Sequence, residues 1–514
     1  MMKNNIKYLA ILALGIVACE PEFDNPVEES DVYVSGEADF SNYVALGNSL
    51  TAGYADASLY ITGQENSYPN ILAQQFEFAG GGEFKQPLMA DNTGGLLLGG
   101  TQIQPNRLVL AFDAEGNPGP AVYTGGQAST DVSTTLTGPF NNLGAPGAKS
   151  FHLVAEGYGN VAGVAAGLAN PYYARFASSA NASIIGDAVS QNPTFFSLWI
   201  GNNDILGYAT SGGVGVDHNE TGNLDPTTYG SNDITNTNVF GSVYSQLVAG
   251  LTANGAEGVV LNIPDVKSIP FFTFRPTLDA TQVAGLTGFY KLVAGIMTQQ
   301  IAMSGVPLEQ AAQIASQYEF TFEVDKPNAR IIQVAPTPTN PLGLIRQTDE
   351  LILLTSTESG FATIDAEITA ILERAAMDIL PTPEEGAQII DAIDAVSLDE
   401  NYLDDEEQTK IAMAQASFNA TIKAIADAND LAFYDANAAL SQIANGGIAY
   451  DGGVITSQFI SGGAFSLDGV HPSPRAHAIL ANGILDVLKE KYNTNLPRVK
   501  AGTYGTVTLS NDVN

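Results

Sequence analysis

The chain has 514 residues, 45% of them apolar, enough for one large domain with insertions or for two or three smaller ones. Only 15% of the residues are charged, and 55 acidic against 20 basic residues leave a formal net charge of −35. A surface this acidic repels phosphate backbones and argues against nucleic acid as a partner, and the single cysteine excludes an intrachain disulfide.

The first residues read as a targeting segment. Lys3 and Lys7 precede an apolar run, Tyr8 to Ala18, that is too short to span a bilayer as a mature helix. The run ends Ile16-Val17-Ala18-Cys19, which resembles a bacterial lipobox, with Cys19 as the lipid attachment site after cleavage of residues 1–18. Residues 19–40 are acidic and read as a flexible tether. The acidic residues just after Cys19 also resemble the export signal of some Gram-negative surface lipoproteins. No later segment is apolar and long enough to span a membrane, so the lipid is the expected membrane contact, on an outer membrane.

The globular domain is expected over residues 41–495, followed by a tail at 496–514. Tyr43-Val44-Ala45-Leu46 reads as a buried strand, followed by a tight turn and a helix start. Residues 76–137, rich in Gly, Asn and Thr, have no sustained period and read as an irregular loop insertion. Ser183 to Val189 reads as the end of a helix. Thr194 to Ile200, Gly258 to Ile263 and Leu431 to Asp435 read as further strands, with helical spacing over Val239 to Ala253 and Ile411 to Ala426. Strands alternating with helices predict an α/β fold with a parallel sheet covered on both faces. Residues 274–403 exceed a single crossover and read as an inserted subdomain or lid, with a β-like run at Glu350 to Thr355 and helical patterns at Ile364 to Ile379 and Pro383 to Ala395. A last helix starts with Ser473 as N-cap and Pro474 in the first turn, and Ala476, Ile479, Leu480, Ile484 and Val487 form its apolar face.

Ser49 follows the first strand between Gly47 and Gly53. A serine before a helix is by itself usually an N-cap. Asp468-Gly469-Val470-His471 changes that reading. An Asp and a His three residues apart on one turn let the carboxylate hold one ring nitrogen while the other takes a serine proton. The chain has only four histidines; His477 lies in the last helix and reads as structural, and His152 and His218 sit in uninformative contexts. Gly144 to Ser150 lacks P-loop spacing, and Asp217 to Gly222 starts like a calcium loop but lacks its later acidic ligands. No Cys/His cluster or His-Glu-x-x-His is present, so neither a metal nor a cofactor is expected.

Tyr43 to Asp56, centred on Gly47-Asn48-Ser49-Leu50, resembles the first conserved block of the SGNH (GDSL-type) hydrolases. Asn142 to Gly147 resembles the second block, Gly201-Asn202-Asn203-Asp204 the third, and Asp468-Gly469-Val470-His471-Pro472 the last, in the family's order. The resemblance implies a three-layer α/β sandwich on a central parallel sheet (flavodoxin-like) carrying large insertions. It implies serine ester hydrolysis without a cofactor: Ser49 as nucleophile, His471 as base and Asp468 as its orienting partner. The oxyanion hole would comprise the Ser49 and Gly147 N–H groups and the Asn203 amide. Asn48 stands where the family usually has Asp; it is nearly isosteric and still able to cap the turn. Asn262-Ile263-Pro264-Asp265 resembles a cleft-lining segment of bacterial members and reads equally well as a turn ending a strand. A glycan ester, a lipid ester or a small acyl ester all fit as substrate, and transacylation remains open beside hydrolysis. The alternative is a non-catalytic surface lipoprotein that binds glycan on the same scaffold.

Overall fold

The computed structural model describes residues 33–509, except 113–115, 117, 276–277, 327, 330, 334–336, 347–350 and most of 355–400, and also residue 513. Cys19, the signal segment and most of the tether therefore lie outside the described residues. Five parallel strands form the central sheet: β1 (Tyr43–Gly47), β2 (Asn142–Gly144), β3 (Phe195–Trp199), β4 (Glu257–Leu261) and β5 (Ala432–Tyr434). Their spatial order is 2-1-3-4-5. The chain thus winds outward in both directions from β1, and the carboxyl ends of β1 and β3 border the crevice where an open α/β sheet binds ligands.

Alternation along each strand divides the core in two. Val44, Leu46, Phe196, Leu198 and Val260 point to one face; Tyr43, Ala45, Phe195, Val259 and Leu261 point to the other. All are almost fully buried, so the strands read as continuous apolar runs. Among the described residues, the helices that frame the sheet and the crevice include α1 (Ser49–Ala52), α2 (Tyr68–Phe76), α3 (Ile184–Val189), α4 (Asn203–Thr210), α5 (Thr237–Thr252), α6 (Asp405–Ala428), α7 (Ala436–Ala444) and α8 (Pro474–Tyr492). Helices α3, α5 and α6 cover the first face, and α2 and α8 cover the second. The result is a three-layer α/β sandwich.

Local chemistry sets the helix starts. Asp404 and Glu407 form a reciprocal capping box on α6. The Ser473 hydroxyl accepts from Ala476 N on α8, with Pro474 in the first turn, as expected. Ser183 caps the start of α3, so the segment expected as a helix end is a complete short helix. The expected apolar face of α8 is rotated: Ala478, Ala481, Ile484, Leu485 and Leu488 are buried, while Ala476, Ile479 and Leu480 are only partly covered.

Several expectations are corrected. Residues 76–137 are not an irregular loop. They hold two antiparallel hairpins, Gly94–Leu98 with Thr101–Asn106 and Leu108–Phe112 with Pro118–Val122. The first turns through Gly99-Gly100, both at positive φ, which is the geometry of a two-residue hairpin turn. Its outer strand is mostly exposed, so no alternation marks it in sequence. The ordered domain extends beyond 41–495 at both ends. Phe40 stacks on Phe76 at 3.9 Å and is buried, Val34 pairs with Asn495, and Leu110 N donates to Thr508 O at 2.8 Å. Within 274–403, a helix at Ala280–Met303 was not legible, because its apolar residues are spread around the helix. It packs with Phe320 and Phe322 in a small cluster separate from the main core. The β-like run forms Leu351–Ile352, paired with Tyr402–Leu403, while the helical patterns at 364–379 and 383–395 lie mostly outside the described residues.

Candidate active site

The turn that carries Ser49 is built from the end of β1. A Cβ on Gly47 would lie 2.1 Å from Thr51 Oγ1 and 2.4 Å from Trp199 O, so only glycine lets α1 fold back against the sheet. Asn48 caps α1: its Oδ1 accepts from Leu50 N at 3.0 Å and its Nδ2 donates to Asn202 Oδ1 at 3.3 Å. The amide thus performs the capping role expected of it and ties the first turn to the third. Ser49 begins the helix, 6% exposed.

The structure brings Ser49, His471 and Asp468 into one hydrogen-bonded line across 422 residues of chain. His471 Nε2 lies 2.9 Å from Ser49 Oγ and His471 Nδ1 lies 2.8 Å from Asp468 Oδ2. With an ionised carboxylate on Nδ1, that nitrogen carries the proton and Nε2 is left to accept from the serine hydroxyl. Asp468 Oδ1 accepts from Val470 N, His471 N and Ser466 Oγ, and Oδ2 also accepts from Ala57 N at 2.9 Å. Desolvation pushes the Asp468 pKa up, but the adjacent His471 charge and these donors outweigh it and hold the pKa down, at about 2. Asp468 is therefore ionised near neutral pH. The Tyr54 ring packs against the imidazole at 4.7 Å between centroids.

Behind this line lies a buried charge pair that sequence reading missed. Asp56 Oδ1 accepts from Leu467 N and its backbone N–H donates to Ser466 Oγ, so it holds the turn that carries Asp468. Arg107 Nη2 reaches Asp56 Oδ2 at 2.6 Å, with both side chains 3% exposed, and its guanidinium lies 3.5 Å from the centre of the Tyr60 ring. Arg107 sits between the two hairpins of the 76–137 insertion. A pair 51 residues apart has no local signature; only a lone arginine within a weakly charged segment was there to find.

Gly147 and Asn203 meet on the other side of Ser49. Gly147 has φ +82° and open space where a Cβ would stand; its conformation, not crowding, calls for glycine. Among the described residues, no hydrogen bond engages the N–H of Ser49 or of Gly147. Asn203 Nδ2 donates to Ala148 O at 2.9 Å, which fixes the amide and leaves its second N–H to point elsewhere. The neighbouring Asp204 is fully buried and accepts from Ser150 N and Ser150 Oγ at 2.8 and 2.6 Å, locking the Gly147 loop to the start of α4. Ser49, Asn203 and His471 line two cavities that diverge from them, one apolar and one with a mixed wall that includes Gly147.

The other histidines are accounted for. His477 is buried, accepts from Tyr68 N and is held neutral by burial, its pKa down at about 3. His218 stacks on Tyr229 and pairs with Asp233. His152 is stacked on Tyr158 in the mixed cavity wall, and burial with the Lys149 charge lowers its pKa to about 4. Asp217 caps a short helix. Among the described residues, no group of three or more His, Cys, Asp or Glu side chains is placed to hold a metal. Compared with protein-family models, curated proteins and solved structures, the chain matches none.

Removing Arg107 leaves the Asp56 carboxyl enclosed beside Asp468 without its cationic partner, and burial already pushes its pKa up. Arg107→Ala is expected to lower unfolding stability by about 3–5 kcal/mol, the usual cost of orphaning a buried ion, read from urea denaturation. A loss below about 1 kcal/mol would mean the pair does not hold the turn.

Proposed function

We propose that this chain is a serine ester hydrolase of the SGNH (GDSL) type. One observation carries the reading: the line Ser49–His471–Asp468, at 2.9 and 2.8 Å, opens on cavities that also present Asn203 and Gly147. The α/β sandwich and the position of Ser49 at the end of β1 support it.

In this reading, Ser49 Oγ attacks the ester carbonyl carbon while His471 Nε2 takes its proton. The oxyanion accepts from the Ser49 and Gly147 N–H groups and the Asn203 amide. Asp468 stabilises the imidazolium through Nδ1. The imidazolium then protonates the departing alkoxide, the C–O bond breaks, and an acyl-serine remains. Water, deprotonated by His471, attacks the acyl-serine, and collapse of the second tetrahedral adduct returns the proton to Ser49 and releases the acid. A second alcohol in place of water turns the same cycle into transacylation. No step requires a cofactor.

With purified protein and p-nitrophenyl esters, Ser49→Ala and His471→Ala are expected to fall to background, and Asn203→Ala to lose ~100- to 1,000-fold in kcat. Turnover surviving in Ser49→Ala would contradict the assignment. Ser49-independent glycan binding by an inert wild type would favour the non-catalytic surface lipoprotein instead.

We further propose that Cys19 carries the lipid that tethers this domain to the outer membrane of a Gram-negative cell envelope. The motif Ile16-Val17-Ala18-Cys19 supports this. Cells fed an alkyne fatty acid are expected to yield labelled wild-type protein in the membrane fraction and no label in Cys19→Ser. Unlabelled wild type would remove the anchor from the account.

A further inference from the structure

The partly covered face of α8 has a use once the cavities are followed outward from Ser49. Ala476, Ile479 and Leu480 are apolar, lie about one turn apart, and border an apolar cavity while their other sides pack against the core. Across from them, Ala439, Leu440 and Ile443 of α7 form the facing wall. The sheet closes the inner side with Trp199 from the end of β3 and Pro264 beyond β4. Apart from the reacting centre itself, Asn202 and Tyr434 are the only polar side chains on the wall among the described residues. Ser49, Asn203 and His471 line the same cavity. A protein that leaves this much apolar surface uncovered against its nucleophile is prepared for an apolar ligand.

The second cavity leaves the same three residues in another direction and is chemically different. Gln104, His152, Tyr158 and Asn170 line it, offering hydrogen-bonding groups and aromatic faces. Asn170 donates to Pro146 O at 2.7 Å and to Tyr158 at 3.2 Å, so this wall is braced against the Gly147 loop. Gln104 comes from the exposed strand of the first hairpin, which gives that insertion a place at the substrate.

We propose that the apolar cavity between α7 and α8 binds the hydrocarbon acyl chain of the substrate, with the polar alcohol lying in the mixed cavity. This rests on the esterase reading of Ser49 and adds the substrate class: an ester of an alkyl-chain acid with a polar, hydroxyl-rich alcohol. An acetyl group leaves the cavity unfilled. Each methylene added to the chain contributes binding, so kcat/KM rises by about fourfold per methylene until the cavity is full.

The test uses two ester series on the purified protein: p-nitrophenyl esters from acetate to dodecanoate, and acetates of alkyl alcohols of the same lengths. It adds Ala439→Phe and Ala476→Phe, which project a ring into the cavity from two different helices at partly exposed positions. The result expected is a steep rise with acyl length, little dependence on alkyl-alcohol length, and a fall of at least about tenfold in the octanoate-to-acetate ratio of kcat/KM in each variant that folds, as judged by circular dichroism. Ser49-dependent turnover with acetate as the best ester, or a rise with alcohol length instead of acyl length, overturns the acyl-chain assignment while the esterase reading stands. Absence of turnover on every ester takes both down together.

Discussion

The Asp468 carboxylate is the point on which the site depends. Its side chain is 9% exposed, and a charge so enclosed is tolerated only when its oxygens are met by donors. The donors come from both ends of the domain: Val470 N, His471 N and Ser466 Oγ from its own turn, and Ala57 N from just beyond the nucleophile helix. The contact with Ala57 spans 411 residues. It closes the chain on itself and sets the distance between the imidazole and Ser49. Asp56 and Arg107 extend this arrangement outward, compensating one enclosed charge with another beside it. The same groups therefore hold the turn and fix the geometry of the Ser49–His471–Asp468 line.

The parallel sheet does the remaining positioning. Winding outward from β1 in the order 2-1-3-4-5 leaves β1 and β3 adjacent. Ser49 and Asn203 thus emerge from neighbouring strand ends without any special loop. Gly147 arrives from the edge strand β2, and the Asp204–Ser150 hydrogen bonds fasten it to α4. Hydrogen bonds to neighbouring elements hold Gly147 and Asn203 in place beside Ser49. Helices α7 and α8 then shape the apolar space beside Ser49.

Much of this was legible in the residues. Runs such as Phe195 to Trp199 read as interior strands, and the Ser473-Pro474 start of α8 carries its own capping chemistry; α6 begins at Asp405, ahead of the Ile411 to Ala426 pattern, on the capping box of Asp404 and Glu407. The meeting of Ser49 with the Asp468–His471 turn was implied by the resemblance of the four sequence blocks to the SGNH hydrolases. What escaped has physical reasons. Strand β2 is only three residues long and too short for a period to emerge. The strand Thr101–Asn106 of the insertion is mostly solvent-facing, so hydrophobic alternation, the signal for strands, is missing there, although Gly99-Gly100 was a turn signal in plain view. The Arg107–Asp56 pair is a tertiary contact, and neither residue announces its partner. On α8 the sequence shows an apolar face but not what covers it, because periodicity tells which side of a helix avoids water and not whether protein or ligand will lie against it.

The most direct measurement is intact-protein and peptide mass spectrometry after brief exposure of the purified domain to a fluorophosphonate. An activated serine reacts within minutes while ordinary hydroxyl groups stay inert. The result expected is one phosphonyl group per chain, carried on the peptide that contains Ser49, and no adduct when His471 is replaced by alanine. An unmodified chain, or an adduct at some other residue, would contradict the claim that the Asp468–His471 turn activates Ser49.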